Sequence, residues 1–440
     1  MNKFLLLFLF QSSFLFAQLP NPCLVGYWQN WSPMKLSEIH DNYNVIELAF
    51  ATTKNGTDYD MEFNLPSGYT KSAFLTDIDA LHTAGKVVIL SIGGASDPVI
   101  LDSEAHKNTF ISTVNQILAD YNYKIDGIDL DLESTSLNFG AWTMDSPAQG
   151  QLNIIEAVNQ IKTNYFTQTG KRLLLTMAPE TVYLQGGLSD WQINNINGGA
   201  YLPIVNALID DLDLLCPQYY NAGGAGGGTF ANDGQIYYDT GDPDYLTALT
   251  ETLVKGFTIK AGKGFFPGVP VSKLAIGLPA NDCNAAGTGY VTPENVCNAV
   301  KYLRGDIAKP NGFDYSLNNT YPNFRGLMTW SINEDALACS GAWSFAENFT
   351  CAFENITSVS SPEFYQIEFY PNIIQQGESL HLELSNYKTP TNITVINTQG
   401  ETMYSTSISS PLYSIATEKL PRGIYLLKIA DEKPQKFIIQ

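Results

Sequence analysis

The part of the chain best suited to chemistry is an alternation of acidic and apolar residues, Asp126-Gly127-Ile128-Asp129-Leu130-Asp131-Leu132-Glu133. Side chains alternate between the two faces of a strand, so Asp129, Asp131 and Glu133 share one face. Neighbouring carboxyls in a buried strand raise each other's pKa, and at least one then keeps its proton near neutral pH. We therefore predict Glu133 as a general acid, with Asp131 as its charged or hydrogen-bonding neighbour.

A solvated edge strand or a calcium loop would also place acids at alternate positions. A calcium loop needs glycine at its sixth position, where this run has Asp131, and its interleaved residues are polar, whereas here they are apolar. The catalytic interpretation is therefore favoured, and we predict no metal.

Residues 23–353 alternate between short apolar runs and longer helical stretches, and these strands and helices hold the acids in place. The predicted strands are Leu24–Trp28, Val45–Phe50, Val87–Ile92, Gly127–Leu132, Leu173–Met177, Leu212–Gln218, Leu274–Leu278 and Gly326–Ser331. The predicted helices are Ser72–Ala84, Ser103–Tyr121, Leu152–Tyr165, Tyr245–Ala261 and Pro293–Arg304. This α/β pattern predicts a (β/α)8 TIM barrel, in which residues at the carboxyl ends of strands, such as Glu133, face the active site. Periodicity alone also allows an open doubly wound sheet.

Length and charge restrict the remaining possibilities. With 440 residues the chain is too long for one core, and its 44 acidic and 24 basic residues give a net charge of −20. Such a charge argues against nucleic acid and anionic membranes as partners. The Gly-rich stretch 221–228 lacks the GxGxxG spacing of a dinucleotide site, so we predict no cofactor.

The ends and the cysteines indicate export. Residues 1–17 read as a signal peptide, with a retained anchor as the alternative, and no later segment is apolar enough to span a membrane. An exported chain permits disulfides between its six cysteines, which admit 15 pairings. We expect local pairs, Cys283 with Cys297 and Cys339 with Cys351.

Further motifs accompany the acidic alternation along the predicted barrel. They are Val25-Gly26-Tyr27-Trp28, Leu48-Ala49-Phe50, Ser91-Ile92-Gly93-Gly94, Met177-Ala178-Pro179-Glu180, Gln218-Tyr219-Tyr220-Asn221 and Arg325-Gly326-Leu327-Met328-Thr329-Trp330-Ser331. Together with the run at 126–133 they resemble glycoside hydrolase family 18, the retaining chitinases and their relatives. The resemblance covers residues 23 to about 350, favours the barrel over the open sheet, and suggests a catalytic domain over 18–355.

The resemblance implies a mechanism in which the sugar's own acetamido group is the nucleophile. It implies Glu133 as acid and base, Asp131 as the residue that orients the acetamido group, Asp129 as its proton-sharing partner, and Tyr220 as a donor to the acetamido oxygen. The residues expected to line the sugar site are Trp330, Gln218, Asn221, Met177, Tyr27 and Phe50. Three loop tryptophans, Trp31, Trp142 and Trp191, are either outer sugar platforms or surface residues.

The family further implies a secreted chitinase that acts on chitin or N-acetylglucosamine oligosaccharides. The short stretch between the last two predicted strands leaves no room for the extra domain of processive members, so we expect endo cleavage. The alternatives are an endo-β-N-acetylglucosaminidase that acts on N-glycans and a catalytically silent chitin-binding lectin.

The last part of the chain, residues 356–440, differs from the barrel in composition and in predicted secondary structure. Residues 356–363 form a Ser/Thr-rich linker, and 364–440 predict a small all-β sandwich. Its motifs are Phe369-Tyr370-Pro371-Asn372, Val395-Ile396-Asn397-Thr398-Gln399-Gly400-Glu401, Leu420-Pro421-Arg422-Gly423-Ile424-Tyr425-Leu426-Leu427-Lys428-Ile429 and Lys436-Phe437-Ile438-Ile439-Gln440. They resemble type IX secretion sorting domains, which implies outer-membrane secretion machinery as a partner and an extracellular or cell-surface location. A carbohydrate-binding module is the alternative.

Overall fold

The structure, a computed structural model, describes residues 18–440 apart from 55, 191, 194–195, 222–227, 232–235, 284, 338, 340, 354–365, 371–372, 375, 386–390, 398–400, 409–411, 430–434 and 440. The predicted signal peptide, the predicted linker and Trp191 lie outside the described residues. The chain divides into two compact units, Met1–Asn355 and Ile356–Gln440.

The first unit alternates strands and helices. Its strands are β1 Cys23–Gln29, β2 Val45–Thr53, β3 Met61–Glu62, β4 Val87–Gly93, β5 Gly127–Asp131, β6 Leu174–Met177, β7 Gln192–Ile193, β8 Ile196–Asn197, β9 Leu214–Leu215, β10 Gly228–Ala231, β11 Ile236–Asp239, β12 Phe257–Ile259, β13 Gly264–Phe266, β14 Ala275–Pro279 and β15 Gly326–Trp330. Its helices are α1 Lys71–Thr83, α2 Glu104–Asp120, α3 Gln149–Thr169, α4 Leu202–Ala207, α5 Pro243–Lys255, α6 Pro293–Arg304, α7 Ile332–Asp335 and α8 Ser344–Phe353.

Eight parallel strands form the barrel, in the order β14-β15-β1-β2-β4-β5-β6-β9. Isolated parallel bridges, Leu215 with Leu274 and Gln218 with Gly277, join the segment that contains β9 to the segment that contains β14. The predicted (β/α)8 barrel is therefore confirmed, and its parallel strands end at a common face.

Alternation along the strands builds two hydrophobic layers. On β5, Ile128 and Leu130 belong to the large cluster that the helices cover. Val25, Leu174 and Met328 belong to a smaller cluster inside the barrel. The strands are almost completely buried on both faces, as expected for a parallel sheet covered by helices.

Two predicted elements end earlier than expected. The predicted helix 245–261 stops at Lys255, because Gly256 adopts a φ of 72° and the next residues form the β12–β13 hairpin. A β-carbon at Gly256 would lie 2.3 Å from the Phe266 carbonyl oxygen, so the turn requires glycine. Of the predicted strand 212–218, only β9 is a regular strand.

The expected local disulfides are wrong. The bonds join Cys283 to Cys339 and Cys297 to Cys351, across 56 and 54 residues. The second bond links α6 to α8, two helices that pack together although they are distant in sequence. Cys23 and Cys216 are free thiols buried in the barrel.

The second unit is all-β, as predicted. Its strands are β16 Gln366–Tyr370, β17 Ile373–Ile374, β18 Ser379–Ser385, β19 Thr391–Asn397, β20 Thr402–Ile408, β21 Leu412–Ala416, β22 Gly423–Ile429 and β23 Gln435–Ile439. They form a three-stranded sheet, β16-β18-β21, and a five-stranded sheet, β17-β23-β22-β19-β20. Ile393, Val395, Tyr425 and Phe437 are among the side chains of its apolar core. Within the described part of the whole chain, no helix has the length and hydrophobicity needed to cross a membrane.

Candidate active site

The deepest acid of the site is Asp129, which points into the barrel from the middle of β5. Its Oδ2 accepts hydrogen bonds from the Tyr27 hydroxyl at 2.9 Å and the Ser91 hydroxyl at 2.7 Å. The Thr176 hydroxyl lies 2.8 Å from Oδ1. Burial raises the pKa of Asp129, while these three hydroxyls lower it by stabilising the charged form.

Above it, Asp131 and Glu133 form a pair of carboxyls that share one amide. The Gln218 Nε2 donates to Asp131 Oδ1 at 2.9 Å and to Glu133 Oε1 at 3.1 Å, and it lies 2.9 Å from the Ala178 carbonyl oxygen. The two carboxyls are also hydrogen-bonded to each other. Burial raises the pKa of both, and the nearby negative charge of Glu133 raises that of Asp131 further. The pair therefore retains a proton toward neutral pH, as a general acid requires.

A pair of glycines at the end of β4 supports β5, the strand that carries Asp129 and Asp131. Gly93 has a φ of 112°, and a β-carbon there would lie 2.4 Å from the Asp131 carbonyl oxygen. The next residue, Gly94, donates its backbone N–H to that oxygen at 2.7 Å. Only glycine therefore permits the close approach of these backbones.

The carboxyls of Asp131 and Glu133 lie on the wall of a cavity of about 440 Å³. Asp131, Glu133, Gln218, Tyr220 and Asn221 line it, together with the apolar aromatic side chains of Phe50, Trp330 and Trp31. The rings of Phe50 and Trp330 are stacked with centroids 5.6 Å apart, and Trp31 lies about 6 Å from both. An apolar wall beside acidic groups suits a sugar ring, which has apolar faces and polar edges.

Tyr220 and Asn221 occupy the turn that follows the sixth barrel strand. Burial and the charges of Asp131 and Glu133 raise the pKa of Tyr220 well above its usual value, so its hydroxyl keeps its proton. Asn221 Oδ1 accepts from the backbone N–H groups of Gly287 and Thr288 at 2.9 and 3.1 Å. Asn221 therefore ties the turn to the loop after β14 as well as lining the cavity.

Two residues expected to line the cavity lie elsewhere. Tyr27 is buried beneath it and reaches Asp129 through its hydroxyl. Met177 is fully buried in the cluster between strands and helices, because Thr176 is the inward residue of that pair on β6. Of the loop tryptophans, Trp31 lines the cavity, whereas Trp142 is buried with the Lys263 ammonium 4.0 Å from its ring centroid.

Sequence reasoning missed several groups that contact the acids. Glu180, at the end of the motif 177–180, lines the cavity with Glu133, and burial followed by the charge of Glu133 raises its pKa to about 8. Its place directly after a barrel strand was the available signal. Ser91 and Thr176 were also missed as partners of Asp129.

Among the described residues, the group whose spacing could hold a metal ion is Asp282, Cys283 and Cys339, and its two sulfurs are bonded to each other. The carboxyls of the cavity already hydrogen-bond to each other or to amide and hydroxyl groups.

Comparison with known proteins places this geometry in a family. Residues 23–362 match the model of glycosyl hydrolases family 18. The chain belongs to this family. Residues 368–440 match a secretion system C-terminal sorting domain, which indicates that this family 18 protein is secreted or displayed at the cell surface.

Relatives of this family 18 chain include the chitinase ChiA of Flavobacterium johnsoniae, 33% identical over 79% of this chain and 22% of its own length. Exochitinase 1 of Streptomyces olivaceoviridis is 36% identical over 76% of this chain and 56% of its own length. The chain therefore spans only part of the length of these relatives. The crystal structure of a family 18 chitinase from Chromobacterium violaceum matches with a TM-score of 0.65 and 32% identity, over 77% of this chain and 85% of that one.

Proposed function

We propose that this family 18 protein is a chitinase that hydrolyses β-1,4 linkages between N-acetylglucosamine units with retention of configuration. The observation that carries the proposal is the hydrogen-bonded group of Asp131, Glu133 and Gln218 at the floor of an aromatic-walled cavity. If Asp131 binds the acetamido group of the sugar, Glu133 is the carboxyl that remains to protonate the scissile bond. This division suits a reaction in which the substrate supplies the nucleophile.

In the proposed reaction, Glu133 donates its proton to the glycosidic oxygen as the bond to the anomeric carbon breaks. The acetamido carbonyl oxygen of the same sugar attacks that carbon and forms an oxazolinium ion. Asp131 accepts a hydrogen bond from the acetamido N–H, and Tyr220 donates one to the acetamido oxygen. Glu133 then removes a proton from water, whose oxygen attacks the anomeric carbon from the side of the departed sugar. The bond from that carbon to the acetamido oxygen breaks, the acetamido group is restored, and the configuration is retained.

The surrounding residues would hold the sugar in place for this step. Trp330 would lie against the apolar face of the reacting sugar, with Phe50 stacked behind it. Gln218 would hold the two carboxyls, and Asp131 would stabilise the positive charge of the oxazolinium ion.

We also propose endo cleavage, because the connection between the last two barrel strands is simple. Between β14 and β15, the described residues form α6 as their only helix or strand, so this connection adds no folded domain beside the cavity. A chitin chain can then enter at any point along its length, without threading from one end.

The test compares Glu133→Gln with the unaltered protein on the chitin hexamer. Loss of the acid is expected to lower kcat by about 100-fold or more, while the affinity for the oligomer changes little, because the cavity keeps its shape. Glu62→Gln, which removes a carboxyl outside the cavity, is the control. Undiminished turnover by Glu133→Gln would remove this residue from its role.

The products of the unaltered protein distinguish the alternatives. Internal cleavage of the hexamer supports an endochitinase, and release of dimers from one end would contradict endo cleavage. Release of glycans from a high-mannose glycoprotein without oligomer cleavage would indicate an endo-β-N-acetylglucosaminidase. Binding without any cleavage would indicate a lectin.

We further propose that residues 364–440 engage outer-membrane secretion machinery of type IX. The match of this segment to a sorting domain supports the proposal. Deletion of 364–440 is expected to leave the enzyme in the cell, with the hydrolytic activity of the barrel intact. Equal amounts of deleted and full-length protein in the medium would contradict it.

A further inference from the structure

A fourth carboxyl, Glu47 on β2, lies inside the barrel and has no part in the reaction described above. Its side chain is buried, with 1% exposure. Its Oε1 lies 3.0 Å from the Thr176 hydroxyl oxygen, and its Oε2 has no hydrogen-bond partner in the structure. The same Thr176 oxygen lies 2.8 Å from Asp129 Oδ1, so one hydroxyl stands between two acids.

The number of protons available to these three groups is limited. A threonine hydroxyl has a single hydrogen to donate, and an ionised carboxylate can only accept. Thr176 therefore cannot donate to Glu47 and Asp129 at the same time. Both contacts are hydrogen bonds only if one carboxyl carries a proton and donates it to the Thr176 oxygen.

The surroundings decide which carboxyl is protonated. Asp129 accepts from Tyr27 and Ser91 as well as Thr176, so it has donors for a negative charge. Glu47 has one hydrogen-bond partner, Thr176, and its Oε2 has none. A negative charge on Glu47 would therefore be costly, because the side chain is buried away from water. The proton therefore belongs on Glu47 Oε1.

A charge on Glu47 is still less favourable because of its titratable neighbours. The negative charge of Asp129 acts directly on Glu47. Glu47 in turn raises the pKa of the Tyr27 hydroxyl and of the Cys23 and Cys216 thiols, so these groups stay neutral. Burial and the charge of Asp129 raise the pKa of Glu47 well above its usual value.

We propose that Glu47 is a positioning residue that keeps its proton and, through the Thr176 hydroxyl, holds Asp129 as a charged carboxylate. The order is Glu47 O–H to Thr176 Oγ1, then Thr176 O–H to Asp129 Oδ1. This arrangement keeps a fixed negative charge beneath Asp131. Its consequence for catalysis, which rests on the proposed function, is that the shared proton stays with Asp131 and Glu133.

The first test does not depend on activity. The infrared spectrum of the full-length protein at pH 8, minus that of Glu47→Gln, is expected to show the carbonyl band of one protonated carboxylic acid. Glu62→Gln is the matched control and should show the loss of a carboxylate band. A carboxylate band in the Glu47 difference spectrum would overturn the proposal, whether or not the protein cleaves chitin.

The second test asks whether Glu47 acts through Thr176. The acid limb of the pH profile of kcat/KM on the chitin hexamer is measured for Glu47→Leu, Thr176→Val and the double variant. Thr176→Val removes a donor from Asp129, so the limb is expected to move up by about one pH unit, and Thr176→Ser should restore it. Glu47→Leu should move the limb in the same direction, and should add nothing in the Thr176→Val background.

Other results of this cycle would contradict the inference. If the acid limb of kcat/KM moves to lower pH in Glu47→Leu or Glu47→Gln, the substitution has removed a negative charge, so Glu47 was ionised and not protonated. An equal movement in both backgrounds would mean that Glu47 does not act through Thr176. If the unaltered protein fails to cleave chitin, the proposed function is refuted, while the infrared result still decides the state of Glu47.

Discussion

The raised pKa of Glu180 makes the stability of the barrel depend on pH, and Glu180→Gln should remove the part of that dependence that Glu180 contributes. Glu180 lines the cavity, where burial and the charge of Glu133 raise its pKa from 4.5 to about 8. The folded protein thus retains a proton that the unfolded chain releases above about pH 4.5. Wild-type stability must fall relative to Glu180→Gln as the pH rises from 4.5 to 8.

The size of the effect follows from the pKa change. At about 1.4 kcal/mol per pH unit, the rise from 4.5 to about 8 is equivalent to about 5 kcal/mol. Glu180 is partly exposed to the cavity, and solvent screening reduces this to about half. We therefore expect the variant to gain about 2–3 kcal/mol relative to the wild type between pH 4.5 and pH 8, and no more above it.

The assay is urea unfolding of both proteins at intervals from pH 4 to pH 9, followed by tryptophan fluorescence. All six tryptophans precede residue 356, so the signal reports the barrel. Glu62→Gln, a carboxyl outside the cavity, is the control and should run parallel to the wild type. Parallel curves for Glu180→Gln and wild type across this range would refute the argument.

Two further predictions concern the walls and the floor of the site. Trp31→Ala removes an aromatic that is 59% exposed beside the cavity, so KM for the chitin hexamer should rise about tenfold with kcat little changed, whereas Phe265→Ala, 57% exposed on β13, should leave both unchanged. Equal effects of the two substitutions would contradict a sugar platform at Trp31. Gly93→Ala should lower stability by roughly 1–3 kcal/mol and reduce kcat, because its methyl group would displace the Asp131 backbone. Gly68→Ala is the control, because Gly68 also has a positive φ, 81°, but a β-carbon there would have no atom within 4 Å. Gly68→Ala should be fully active. If Gly93→Ala is equally active, the contact between residue 93 and the Asp131 backbone does not affect catalysis.

The class of fold and the centre of the site could be predicted from the sequence. Period-two alternation places Asp129, Asp131 and Glu133 on one face of β5 whatever surrounds the strand. Eight apolar runs separated by helical stretches required a sheet covered on both sides, and the family motifs indicated its closure into a barrel. The tail was recognisable as β-structure because its short runs are separated by turn residues.

Which groups from distant strands meet depends on how the barrel closes, and the sequence does not show this. The amide of Gln218 reaches both Asp131 and Glu133 only because β9 and β5 end at the same face of the closed barrel. The Thr176 contact with Asp129 turns the neighbouring Met177 toward the helices, an orientation that depends on the register between β5 and β6.

The same reason explains the disulfides and the missed acids. Cys297 pairs with Cys351 because α6 packs on α8, and spacing along the chain carries no record of that contact. Glu47 and Glu180 read in sequence as ordinary acids at a strand and its end. Their raised pKa values come from burial and from neighbouring carboxyls that only the folded barrel brings close. Local alternation fixes the face on which a side chain lies, whereas strand order and register fix its partners.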